Sequence, residues 1–458
     1  MMREPAFALL KRPRPMELHG RTVLVLGLGD TGLSVARWVE QQGARARVAD
    51  TRDSPPRKKD FTGELHTGAF GTALLRGADL VCVSPGISLE QRIIREALQR
   101  DIPIVGDIEL FAWHVRRKTN SKVIAVTGTN GKTTVTALTA FLLDDAGVDC
   151  VRAGNIGPAV LAALAQRDPQ RPPDVWVLEL SSYQLETTWS LEPDAAAMLN
   201  LTEDHLDRYR DLDEYGAAKA RIFQGAGVQV LNRDDARSLS MARPGGARMT
   251  FGLDAPARGM DFGVKDGQLV QGDTPILPVD ELQIHGMHNV ANALAACALA
   301  CSMGLSLKSV SRSLRAFRGL SHRLELVASR RGVQWYDDSK GTNVGATVAA
   351  LTGLDRKAVL IAGGEGKGQD FSPLAAPVRK HARKVLLIGR DAPLIEKALQ
   401  GLPVERVPSL EAAVERAAEI AENGDAVLLS PACASFDMFR DYRHRGEVFA
   451  QAVKRLGP

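Results

Sequence analysis

The run Thr127-Gly128-Thr129-Asn130-Gly131-Lys132-Thr133-Thr134 follows directly on the apolar residues Val123-Ile124-Ala125-Val126. This order predicts a buried strand, a glycine-rich turn and a helix from Val135 to Leu143. Such a turn aims several backbone N–H groups and the positive end of a helix at one point, which suits a polyphosphate. Lys132 would reach the terminal phosphates, and the Thr133 hydroxyl would hold Mg²⁺. The common spacing GxxxxGK[ST] would need glycine at position 126, where this chain has Val126. The loop is therefore a shortened phosphate loop. A strand–loop–helix unit of this kind belongs in an α/β fold.

The rest of the chain extends that pattern. Strand-like runs alternate with helical ones throughout, predicting mainly parallel sheets. At 458 residues the chain suits about three domains. The first opens with Thr22-Val23-Leu24-Val25-Leu26, a glycine turn, a helix to Gln42 and a strand ending at Asp50; a third strand, Leu80 to Val83, runs into Ser84-Pro85-Gly86. Arg116 to Asn120 reads as the first linker and Gly319 to Ser321 as the second boundary, giving units 1–118, 119–318 and 319–458. The central unit carries the loop, the strands Val175 to Glu179 and Ala195 to Leu199, and the helix Asn289 to Cys301. Its stretch from Gly225 to Val279 reads as a sheet insertion. In the third unit, Lys357 to Ile361, Lys384 to Ile388 and Ala426 to Leu429 each end in a small-residue turn, as in a doubly wound fold.

Composition excludes several classes. Net charge is +4 with basic and acidic residues interspersed, and no basic stripe with aromatics marks a nucleic-acid surface. No apolar run reaches the roughly 18 residues of a membrane span. Residues 1–18 are basic, with too short an apolar core for a signal peptide, and read as a loose extension. The five cysteines have neither CxxC spacing nor a histidine at metal spacing, which predicts core thiols and a reducing, cytoplasmic setting.

Gly27-Leu28-Gly29-Asp30-Thr31-Gly32, with Asp50 ending the next strand, fits GxGxxG and predicts a diphosphate nucleotide. NAD and a UDP-linked substrate both satisfy it. Glu179 ends an apolar strand where an NTPase places its Mg²⁺ carboxylate. Asn200 to Asp207, containing His205, should emerge at the same sheet edge. His205 reads either as a metal ligand or as a surface histidine, and Lys219 alone as a helix-surface lysine. Asp338 to Asn343 forms a polar loop after a strand, His322-Arg323 lies near the second boundary, and Gly363 to Lys367 makes another anion-friendly turn.

Together these motifs resemble the Mur ligase family of ATP-dependent amide-bond formers in bacterial cell-wall precursor synthesis. The resemblance rests on Thr127 to Thr133, Gly154-Asn155-Ile156-Gly157, Glu179-Leu180-Ser181-Ser182, Glu203-Asp204-His205 and Gly286 to Asn292. At its most detailed it points to the branch adding D-glutamate to UDP-N-acetylmuramoyl-L-alanine, through Gly27 to Ser34, Ser84 to Ile87, Asp338 to Asn343 and Leu429 to Ser435. A relative adding L-glutamate would share almost all of them.

The resemblance implies three α/β domains: a Rossmann-like UDP-binding unit, a P-loop ATP-binding unit and a Rossmann-like C-terminal unit. It implies ATP held by Gly128, Thr129, Asn130, Gly131, Lys132, Thr133, Thr134, Asn289, Asn292, Arg323 and Asp338. The UDP substrate would meet Asp30, Thr31, Asp50, Thr51, Arg52, Ser84, Pro85, Gly86 and Asn155, and D-glutamate would meet Thr342, Lys367, Ser435 and Tyr442. Two Mg²⁺ are implied, one on Thr133 and Glu179 and the other on His205 and Lys219. Lys219 would be a carbamate, because an ammonium cannot ligate a metal. Lys132, His205, Lys219 and Arg323 are the implied catalytic set, and the chain is expected to act as a monomer. The rival readings are an NAD-dependent oxidoreductase built on the first unit and a non-catalytic ATP switch.

Overall fold

The computed structural model describes residues 5–205 and 208–456; Leu206 and Asp207, the end of the polar run after Asn200, lie outside the described residues. Among these residues the strands form three sheets. The first comprises β1 (Thr22–Leu26), β2 (Arg45–Asp50), β3 (Glu64–Thr67), β4 (Leu80–Val83) and β5 (Ile104–Val105), all parallel, in the order β3-β2-β1-β4-β5. Its order reverses beside β1, so the glycine turn after β1 opens at the crevice where such sheets bind ligands. Gly32 is needed there, because a Cβ at this position would lie 1.8 Å from the Gly27 carbonyl oxygen.

The central sheet comprises β6 (Lys122–Thr127), β7 (Cys150–Gly154), β8 (Val175–Glu179), β9 (Ala195–Met198), β10 (Val228–Asn232), β11 (Arg248–Phe251), β12 (Phe262–Lys265), β13 (Gln268–Gln271) and β14 (Thr274–Pro278). The predicted insertion is a continuation of this sheet. The strands β10 and β11 add in parallel beyond β9, and β12 to β14 finish as antiparallel ribbons at one edge. In register, Val126 pairs with Glu179, Gly154 with Glu179 and Thr127 with Met198, so four strands deliver their C-terminal residues to one edge. The helix after the loop spans Lys132–Asp145 and starts three residues earlier than expected, capped by Gly131 at φ 82°. Lys132, Thr133 and Thr134 therefore form its first turn, where backbone N–H groups have no intrahelical partner. A Cβ on Gly131 would stand 2.4 Å from Asn292 Oδ1, so this glycine lets the loop abut the alanine-rich helix Met287–Ser302.

The third sheet comprises β15 (Glu325–Arg330), β16 (Val333–Asp337), β17 (Ala358–Gly363), β18 (Ala382–Ile388), β19 (Val404–Arg406) and β20 (Ala426–Leu429), in the order β15-β16-β20-β17-β18-β19. Only β15 runs antiparallel. The sheet faces are buried: Leu360, Leu386, Leu428 and their neighbours have essentially no exposure. All five cysteines are free thiols.

Two expectations need correcting. The extension before β1 is not loose from residue 5 onward, because Phe7, Leu10 and Leu18 are buried in the core shared with the first sheet. Nor is 116–120 all linker, since the helix Asp107–Lys118 takes its first three residues. Arg116 is anchored to the Ser190 carbonyl and to Glu192, and the helix C-terminus favours these cations. In its first turn, the buried Glu109 carboxylate accepts from Trp113 Nε1 (2.8 Å), Trp189 N (2.6 Å) and Ser190 N (2.8 Å). The last two donors belong to the central unit, so this acid ties the two units together. Replacing Glu109 with Ala strands three buried donors and is expected to destabilise the protein by roughly 3 kcal/mol. The check is the urea midpoint of Glu109→Ala against the parent chain.

Candidate active site

The loop carries its own lysine folded against it: Lys132 Nζ donates to the carbonyls of Gly128 (2.9 Å) and Thr129 (2.7 Å). A second ammonium reaches the same spot. Lys219, on the helix Leu212–Ala220, is 1% exposed, and its Nζ donates to the Gly128 carbonyl at 2.8 Å over the Tyr215 ring. Lys219 is thus no surface lysine. Burial, aided by the charge of Lys132, pushes its pKa well down, towards a neutral amine. Burial lowers Lys132 as well, against the pull of Glu179 and Asp204.

Across the same sheet edge stands Glu179, 2% exposed. Its Oε1 accepts from Asn155 Nδ2 at 2.7 Å, while its buried Oε2 is left without a donor. An orphaned carboxylate oxygen is costly unless a cation completes it. With the Thr133 hydroxyl lining the same cavity, the donors are hard oxygens that fit Mg²⁺. His205 sits at φ 57°, a left-handed backbone uncommon outside glycine, and its Nδ1 lies 2.8 Å from the Tyr183 hydroxyl. Its Nε2 lies 3.7 Å from Asp204 Oδ2.

Lys132, Thr133, Asn155, Glu179 and His205 wall a cavity of about 560 Å³ that the third unit closes from the other side with Arg323, Lys340, Thr342, Lys367 and Tyr442; Lys219 lies behind the loop and does not line it. Of the four residues expected around D-glutamate, Thr342, Lys367 and Tyr442 line this cavity; Ser435 is buried beside the Glu365–Ala434 bridge and does not. A neighbouring cavity of about 330 Å³ brings Thr134, Asn289 and Asn292 together with Arg323 and Asp338. Burial pushes the Asp338 carboxyl up to about 7, opposed by the hydrogen bond from Ser430 Oγ (2.7 Å) and the charge of Arg323.

Two residues without an expected role join the site. Lys340 lies 4.0 Å above the Tyr442 ring, and burial with the nearby Arg323 charge lowers its ammonium to about 8. Asn343 caps the helix Val344–Gly353 by accepting from Ala346 N, while its Nδ2 donates to Asn130 Oδ1 at 3.1 Å, linking third unit to loop. Lys340 was visible in its polar run. Nothing in sequence spacing could reveal a hydrogen bond spanning 213 positions.

The expected UDP set, from Asp30 to Gly86 together with Asn155, lines a second cavity of about 1070 Å³ at the glycine turn of the first sheet. Asn155, Ile156 and Arg443 line both large cavities and so mark their junction. Asp50 does not keep the ribose-binding role of a dinucleotide site. Its oxygens accept from Leu28 N (2.7 Å), Arg52 N (2.9 Å), Arg52 Nε (2.8 Å) and Arg52 Nη2 (2.7 Å), which uses its acceptor capacity. Burial would raise this carboxyl, but the hydrogen bonds from Arg52 and Leu28 hold it at about 2. Asp50 fixes the glycine turn and aims Arg52, and the NAD reading loses its acid.

Residues 126–300 match the Mur ligase middle domain, 21–106 the Mur ligase MurD-like N-terminal domain and 322–433 the Mur ligase glutamate ligase domain. The chain is 54% identical to the UDP-N-acetylmuramoylalanine–D-glutamate ligase of Aromatoleum aromaticum, covering 96% of this chain and 98% of that one. It is 52% identical to the protein of that name from Nitrosospira multiformis, covering 96% and 97%. In fold it is similar to the UDP-N-acetylmuramate–alanine ligase of Thermotoga maritima, with TM-score 0.60, 20% identity and coverage of 94% and 99%. It is likewise similar to a type C pseudomurein peptide ligase of Methanothermus fervidus, with TM-score 0.61, 17% identity and coverage of 96% and 100%.

A lysine whose pKa falls on folding releases its proton, so the unfolded chain binds more protons and stability drops as pH falls below the ordinary value of 10.5. In CO₂-free buffer, Lys219→Met should therefore raise the melting temperature at pH 7, and the gain should shrink as pH approaches 10.5. Thermal unfolding of both proteins across that range measures it.

Proposed function

The chain belongs to the Mur ligase family, and from that premise we propose that it adds D-glutamate to UDP-N-acetylmuramoyl-L-alanine, with hydrolysis of ATP to ADP and phosphate, in peptidoglycan precursor synthesis. The observation that supports this most directly is the meeting of three units at one place: the phosphate loop and Glu179, the cationic wall of the third unit, and the junction at Asn155 into the first unit's cavity. The work divides over 1–118 for the UDP substrate, 119–318 for ATP, and 319–458 for the amino acid and for closing over ATP.

A carboxylate is a poor electrophile at neutral pH, so the alanyl carboxylate must first be activated. Its oxygen attacks the γ-phosphorus of ATP, the bond to the β-phosphate oxygen breaks, and an acyl phosphate forms. Lys132 and Arg323 neutralise charge accumulating on the transferring phosphoryl group. Mg²⁺, when bound, supplies Lewis-acid stabilisation of the same charge. Thr133 and Glu179 would hold one ion, and His205 with a carbamylated Lys219 the other. The neutral amine that burial favours at Lys219 is the form that adds to CO₂: its lone pair bonds the carbon and one proton leaves. Asn289 and Asn292 face the adenine side and Asp338 the ATP ribose. Asp30 and Thr31 lie near the diphosphate, and Thr51, Arg52 and the Ser84-Pro85-Gly86 turn hold the uridine end. Thr342, Lys367 and Tyr442 frame D-glutamate, whose amine attacks the acyl carbon. The tetrahedral intermediate then expels phosphate. Where its Nε2 is not taken up by the ion, His205 is the group we assign to deprotonate that amine.

Phosphate release should require ATP, UDP-N-acetylmuramoyl-L-alanine and D-glutamate together. An amino-acid panel in which L-glutamate replaces D-glutamate equally well would overturn the specificity. Lys132→Ala should lower kcat by about a thousandfold while leaving equilibrium binding of the UDP substrate unchanged. Lys219→Ala should be inactive and regain activity with small carboxylates such as formate; full activity without them removes the carbamate.

A further inference from the structure

The cavity of the first unit is rimmed by arginines, yet those of its own unit are already engaged. Arg52 is held by Asp50, Arg57 by Asp30 at 2.6 Å, and Arg37 donates to the Asp60 carbonyl at 2.9 Å. A diphosphate lying along the Gly27–Gly32 turn carries about two negative charges and calls for a cation not already fixed by a short hydrogen bond. Arg443 meets that need. It projects from the first turn of the helix Tyr442–Arg455, is the single residue of the third unit to line the first unit's cavity among the described residues, and also lines the ATP-side cavity. Its side chain is 62% exposed, and its nearest carboxylate oxygen, on Asp441, lies 4.0 Å away. The guanidinium carbon stands 5.2 Å from the Tyr442 ring centroid, while Lys340 sits 4.0 Å from the same ring. Tyr442 thus carries a cation for each cavity.

We propose that Arg443 binds the diphosphate of the UDP-linked substrate from the C-terminal unit, and so couples occupancy of the first unit's cavity to docking of the third. This rests on the assignment of that cavity to the UDP substrate. Guanidinium fits phosphate oxygens in a fork that Lys reproduces only as a point charge. The coupling is reciprocal: a substrate that gains a contact from the third unit favours the arrangement in which that unit is docked.

The test compares the parent chain with Arg443→Gln and Arg443→Lys. The measurements are the KM of each substrate and the inhibition constant of UDP, which carries the diphosphate and lacks the sugar and the carboxylate. Arg443→Gln should raise both the KM of the UDP substrate and the inhibition constant of UDP by about tenfold, with smaller increases in the KM of ATP and of D-glutamate, whose sites the docked third unit completes. Arg443→Lys should recover part of the loss. An unchanged UDP inhibition constant in both variants, or an increase confined to ATP or D-glutamate, overturns the proposal. Failure of UDP to compete with the substrate in the parent chain instead overturns the assignment of the cavity, which separates the two failures. Because the side chain is largely exposed, a melting temperature equal to the parent's confirms that Arg443→Gln is folded.

Discussion

Two lysine amines converge on a single backbone oxygen, that of Gly128, at 2.9 and 2.8 Å. Neither has a carboxylate within salt-bridge distance among the described residues, and the acid across the sheet edge keeps one oxygen without a donor. A fold does not gather unmatched charges of both signs at a sheet edge for its own stability, since buried groups of this kind cost free energy unless paired. The arrangement is resolved by an anion for Lys132 and a cation for the acid, and a magnesium nucleotide carries both. The surrounding structure serves this mismatch. The parallel register of β6, β7 and β8 brings the partners level, and Gly131 lets the loop press against the helix Met287–Ser302.

Much of this was legible in the chain itself because it is local. An apolar run followed by glycines and a lysine determines strand, turn and helix within a few residues, and β1, β4, β8 and β20 lie where their apolar runs predict. Charges at strand ends are equally local: Glu179 and Asp50 needed only the strand before them. What stayed hidden was the set of partners. Asp50 reads as a ribose acid until Leu28 and Arg52 are seen to occupy its oxygens. Lys219 looks like a surface residue until the fold buries it against Gly128, and Asn343 shows no link to Asn130 until two units meet. Polarity fails as a guide as well: the basic stretch 116–118 is a helix end anchored to Ser190 and Glu192, and the basic extension before β1 hides Phe7 and Leu10.

The third unit contributes chemistry that the other two lack. Its cations form one wall of the nucleotide cavity, and its Asp338, pushed up to about 7 by burial, lies beside Arg323 rather than in solvent. Single hydrogen bonds such as Asn343 to Asn130 hold it to the loop, and each is worth only about 1 kcal/mol net. The rest of the joint is packing of the helix Val344–Gly353 on the helix Met287–Ser302 and of the His285 ring on Tyr336.

Glu109 gives the opposite kind of joint. By accepting from Trp189 N and Ser190 N while sitting on the helix that leaves the first sheet, it replaces a swivel with a weld. Mechanically, the first two units are then joined as one piece. The crevice at the glycine turn of the first sheet and the phosphate loop are therefore held on one joined framework, with a common core beneath them.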